Sequence, residues 1–80
     1  MENMLIDDKI RKKIVSNRKK MGYKQEYVVI QMQLAGLDIS YQIYRNIECG
    51  RRRLNISEFL FLVTFLNIDI SQMSHKLFAC

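Results

Sequence analysis

Residues 38–53, Asp-Ile-Ser-Tyr-Gln-Ile-Tyr-Arg-Asn-Ile-Glu-Cys-Gly-Arg-Arg-Arg, read as a short helix with two unlike faces and a charged end. Ser40 is a preferred N-cap residue, and Gly50 is a preferred stop. Between them, Ile43, Tyr44 and Ile47 recur at helical spacing and supply an inward side. The other side carries Tyr41, Gln42, Arg45 and Asn46, and Arg51, Arg52 and Arg53 follow at once. A carboxamide can pair bidentately with adenine, a guanidinium with guanine, and cations beyond the helix end can meet phosphate. Base contacts specify a sequence and phosphate contacts hold position, so both requirements of a DNA-reading helix meet in sixteen residues.

Working outward, helical spacing appears in four further segments. In the first, from about Asp8 to Lys20, Ile6, Ile10, Ile14 and Met21 share a stripe surrounded by Lys and Arg, and Gly22 closes it. The second, about 25–34, places Val28, Val29 and Met32 on one side and stops at Gly36. The third is the helix already described, about 41–49. The fourth, about 56–66, opens on Asn55 with Glu58 at capping-box spacing. Its inward arc reads as Ile56, Phe59, Leu62, Val63 and Leu66, with Asn67 as its stop. The fifth, about 70–78, opens on Asp69 with Gln72 at the same spacing, and Ile70, Met73 and Leu77 can pack inward. No strand alternation persists and there is no proline, so the expected fold is a compact all-α five-helix bundle in one domain, residues 1–80.

The bulk numbers narrow the function classes. A chain of eighty residues buries roughly 60–65% of its unfolded surface, enough for one small domain. Thirteen Lys and Arg against eight Asp and Glu give a net charge of +5. Eight of the thirteen lie between Lys9 and Lys24, and four more are Arg45 and Arg51 to Arg53. Such a surface attracts polyanions, so duplex DNA and an anionic membrane are both open on charge, as is a merely solvated face. No stretch approaches the ~18 apolar residues needed to cross a bilayer. The N-terminus lacks the apolar core of a signal peptide, which points to the cytoplasm and to reduced thiols at Cys49 and Cys80. One His and two distant Cys do not make a zinc site. The lone His75 is near the C-terminus, Cys49 abuts the third helix and no carboxylate pair is evident, so neither an enzyme nor a cofactor is expected.

With the segments placed, the chain resembles the helix-turn-helix DNA-binding domain of the phage lambda Cro/cI repressor type, the XRE family. The likeness rests on Ile10 to Glu26 (IRKKIVSNRKKMGYKQE), Asp38 to Ser40 (DIS), Ile47 to Arg52 (IECGRR) and Leu62 to Ile70 (LVTFLNIDI). It covers about residues 5–78. The chain departs from the family between Gln25 and Ser40, where it is about four residues longer: Gln33 to Leu37 absorb the excess, as a longer second helix or as an open loop. Lys24 stands where Thr or Ser usually caps the second helix, Leu54 where proline is frequent, and Tyr44 at a usually aliphatic core position.

The resemblance implies a cytoplasmic regulator of bacterial or phage type, most simply a repressor. It would bind double-stranded DNA as a homodimer on an inverted repeat with half-sites about 34 Å apart. It assigns base contacts to Tyr41, Gln42, Arg45 and Asn46. Backbone contacts fall to Gln25 and Ser40, each of which can equally be a helix cap, and to Arg51, Arg52 and Arg53. Arg18 and Glu48 match an ion pair tying the first helix to the third, with a phosphate contact by Arg18 as the alternative. Phe61 and Phe65 lie off the inward arc of the fourth helix. Either residues 77–80 cover them, or they form a dimer or partner surface. The rival reading is therefore a protein-interaction module, such as the antitoxin of a toxin–antitoxin pair; a weaker one is membrane attachment through the basic first helix.

Overall fold

The computed structural model describes the backbone of residues 2–69 and the side chains of residues 8–69. Four α-helices make up this region: α1 Glu2–Lys20, α2 Gln25–Leu34, α3 Tyr41–Cys49 and α4 Ile56–Phe65. The described residues are all-α. The fifth helix expected at 70–78, and the cover that residues 77–80 would give Phe61 and Phe65, lie outside the described residues.

All four helices end the same way. Gly22, Gly36, Gly50 and Asn67 sit at positive φ, and each is followed by a backbone N–H that reaches back five residues, as Tyr23 does to Arg18 and Arg51 to Asn46. This closure satisfies carbonyls that would otherwise be stranded at the helix end. Helix starts are less uniform. The Ser40 hydroxyl accepts from the Ile43 N–H at 3.1 Å. Asn55 and Glu58 form a complete capping box. Lys24, at the start of α2, offers no side-chain cap.

The core joins Ile10 and Ile14 of α1, Val28, Val29 and Met32 of α2, Ile39, Tyr44 and Ile47 around α3, and Leu62, Leu66 and Ile68 at α4. α3 is the shared element, packing against both α1 and α2. The extra length between Gln25 and Ser40 is taken up without a loose loop. α2 runs to Leu34, Gly36 turns the chain, and Leu37 and Ile39 point back onto the core. The Gln33 side chain then donates to the Ile39 carbonyl at 2.8 Å, pinning the connection in front of the Ser40 cap.

Three expectations need correction. α1 begins at Glu2 rather than near Asp8, because no glycine or proline interrupts residues 2–8. Asp8 is thus inside the helix, paired with Arg11 and Lys12. Met21 lies past the end of α1, off its stripe, and is exposed. Ile56, assigned to the inward arc of α4, is 69% exposed. It is the first residue of that helix, where its Cβ leans back past the helix end, and none of the described residues covers it.

Candidate nucleic-acid interface

Glu48 is the centre from which the site is built. It lies on the buried side of α3, and its carboxylate accepts from Arg18 Nε at 2.6 Å and from Arg18 Nη2 at 3.1 Å. The Tyr44 hydroxyl donates to it at 2.6 Å and Gln25 Nε2 at 2.8 Å. Arg18 also donates to the Tyr23 carbonyl at 2.9 Å. One carboxylate thereby joins α1, α2 and α3, and among the described residues no buried side-chain polar atom is left without a partner. Burial opposes the charged form of Glu48. The donors, Arg18 first and then Tyr44 and Gln25, outweigh it and hold the carboxyl below its ordinary range. Burial, and then the hydrogen bond to Glu48, push the Tyr44 hydroxyl well above the usual tyrosine value. The Arg18 guanidinium is raised, chiefly by its hydrogen bond to Glu48. So Arg18 is an internal strut between α1 and α3.

With its inner face fixed, α3 turns the other face outward. Tyr41, Gln42 and Arg45 are exposed and Asn46 is half-buried. They are not independent. Arg45 lies over the Tyr41 ring, 5.7 Å from its centroid. The Gln42 amide donates to Asn46 Oδ1 at 3.4 Å, one helical turn on. The Tyr41 hydroxyl reaches Gln25 Oε1 at 3.3 Å. All four are presented together on α3, and each pair limits the rotamers its members can adopt.

The residues assigned to the DNA backbone divide. Ser40 is occupied as the cap of α3. Gln25 is half-buried with one amide hydrogen on Glu48, and a second remains. Arg51 and Arg53 are exposed, but Arg52 turns inward. Its Nη1 meets Glu58 Oε1 at 2.8 Å, the oxygen that also accepts from the Asn55 N–H at 3.0 Å. Arg52 therefore braces the capping box of α4. Phe61 and Phe65 are partly buried, stacked at 5.2 Å, with Phe65 stacked on Tyr23 at 5.4 Å. The most exposed apolar groups of α4 are instead Ile56 and Leu60.

Three contacts escaped the sequence reading. Tyr44 is a buried donor as well as core filler; a tyrosine four residues before a buried Glu was the available signal. Arg52 and Glu58 meet across a loop, for which no spacing rule exists. Arg11, on α1, donates to the Glu48 carbonyl at 3.3 Å. This places a cation at the C-terminal end of α3, where the helix has no basic residue of its own. Arg11, Lys12, Lys19, Gln25 and the exposed Cys49 line a groove along the α1–α3 seam. Among the described residues no group of three or more His, Cys, Asp or Glu could hold a metal ion, and no helix is long and apolar enough to cross a membrane.

No family model, no curated protein and no solved structure matches the chain.

Proposed function

We propose that this chain is a sequence-specific duplex-DNA-binding protein of the helix-turn-helix type, a cytoplasmic transcriptional regulator resembling the Cro/cI repressors, with α2 and α3 as the two helices of the motif. The carrying observation is the make-up of α3. Its inner face is locked by the Arg18–Glu48–Tyr44–Gln25 network, and its outer face offers two carboxamides bonded to each other and a guanidinium lying over the Tyr41 ring. In this reading α3 enters the major groove. Gln42 and Asn46 pair with adenine, and Arg45, steadied by Tyr41, pairs with guanine. The remaining amide hydrogen of Gln25, the uncapped N–H groups at the start of α2, and Arg51 and Arg53 face phosphates. Two copies read an inverted repeat, and occupancy of the site blocks or alters promoter access.

Selection of bound duplexes from a random DNA pool tests this reading. An enriched inverted repeat supports it. Binding to anionic vesicles at physiological salt, with no duplex retained, overturns it in favour of a membrane role for the basic α1.

A further inference from the structure

α2 is apolar on two opposite faces. Val28, Val29 and Met32 are buried on one. On the other, Tyr27 is 42%, Ile30 51% and Leu34 76% exposed. Residues 27, 30 and 34 follow the i, i+3, i+7 spacing of one stripe, bordered by the polar Glu26, Gln31 and Gln33. Single exposed apolar residues mean little, but this stripe does not stop at the helix. The Tyr27 ring lies 4.8 Å from Tyr23 and 6.2 Å from Phe65, which stacks on Phe61. The surface is thus continuous across two elements.

We propose that this outer face of α2 is where two copies of the chain pair. Charge selects a second copy over other occupants. The chain carries +5, and copies of it repel wherever their cations approach. No Lys or Arg lies between residues 25 and 44, nor between 54 and 75; the cations are concentrated at 9–24 and 45–53. Two copies meeting through Ile30 and Leu34 keep those clusters at the rim of the contact, where Lys24 adjoins Tyr23, whereas an acidic partner would be drawn to the clusters themselves. The stripe also suits a two-fold axis. Tyr27 and Leu34 are seven residues, or about 10.5 Å, apart along the helix. Antiparallel packing sets Tyr27 of one copy against Leu34 of the other, twice, with Ile30 beside the axis. Every contact is then made in duplicate, as an isologous interface requires. A stable interface covers about 800 Å² per partner, more than three side chains supply, and the adjoining Tyr23, Phe65 and Phe61 extend the surface toward that size.

The inference deepens the dimeric DNA-binding reading by locating its interface, and association measured without DNA separates the two. In sedimentation of the full chain at micromolar concentration, the wild type should be a dimer. Ile30→Glu and Leu34→Glu should each weaken the dimer about thirtyfold or more, the size of a hot-spot residue, with the helical spectrum unchanged. Leu34→Ala, which adds no charge, should weaken it less. Leu60→Glu, on the exposed side of α4, should leave it intact. A monomeric wild type overturns the proposal, and so does a dimer that survives both α2 changes or is lost with Leu60→Glu alone. A monomeric Leu34→Glu chain that still prefers one DNA half-site supports the interface and leaves base reading standing; one that no longer distinguishes sequences leaves the interface standing and counts against α3 as an independent reader.

Discussion

At the residue scale, the arrangement depends on Glu48. Three donors surround its carboxylate, and removing it strands Arg18 in a pocket where that side chain is 10% exposed. Glu48→Ala should therefore cost about 3–5 kcal/mol in urea unfolding, as breaking a buried pair does. Tyr44→Phe, which removes one donor and keeps the ring, should cost about 1–3 kcal/mol. If Glu48→Ala unfolds like the wild type, the network does not hold α3. The pH dependence has a definite sign. Glu48 has its carboxyl depressed below the ordinary 4.5 in the fold, so the unfolded chain takes up the proton first. Its contribution is present above that ordinary value and is lost as acid carries the pH down through the folded value. Tyr44 runs the opposite way. Its hydroxyl is raised above the ordinary 10.0, so its contribution is present below that and fades as the pH climbs toward the folded value. Unfolding followed across both ranges should show both losses in the wild type. Glu48→Gln should show a weaker acid loss, and Tyr44→Phe a weaker alkaline one. The arginines after α3 also separate at this scale. Arg52→Ala leaves the buried Glu58 with one donor fewer and should cost about 1–3 kcal/mol of stability. Arg51→Ala should leave stability unchanged and lower the salt dependence of DNA binding by about one phosphate contact.

At the element scale, the helix stops were legible because each rests on a single residue type. Gly50 shows why that residue type is favoured. Its φ of 82° belongs to the left-handed region, and a Cβ there would meet Arg11 Nε at 3.2 Å. Arg11 is the side chain that donates to the Glu48 carbonyl at the end of α3. Gly50→Ala should thus cost the left-handed penalty of about 1–2 kcal/mol plus the displaced Arg11 contact. Gly22→Ala, with a similar φ of 74° and open space around it, should cost the penalty alone. Equal melting temperatures for the two variants would show that Arg11 yields freely. The buried faces of α2 and α3 could be read in the same way, since Val28, Val29, Met32, Tyr44 and Ile47 follow one period. Legibility failed where a helix is apolar all round. α4 has apolar residues at seven of its ten positions, so its sequence does not mark one face as inward, and the exposed Ile56 reads as an inward residue. It failed again for Arg52, one of three consecutive arginines: composition shows three cations, and only the fold shows which one turns toward Glu58.

At the scale of the whole molecule, charge divides the chain. Cations concentrate at 9–24 and 45–53, on and next to α1 and α3, and the stripe of Tyr27, Ile30 and Leu34 on the outer face of α2 is left for a second copy. Long-range attraction would bring duplex DNA to the first surface without sequence preference, and only the α3 side chains can add preference. The central claim is that they do, and the most direct test is the base preference of the wild type and of Gln42→Ala and Asn46→Ala, measured position by position on bound duplexes. Each substitution should cost about 1–3 kcal/mol on the preferred site and relax one position per half-site. Because the two amides are bonded to each other at 3.4 Å, the double variant should lose less than the sum. Unchanged affinity and unchanged preference in both single variants would contradict the account, since α3 would then not be the element that reads DNA.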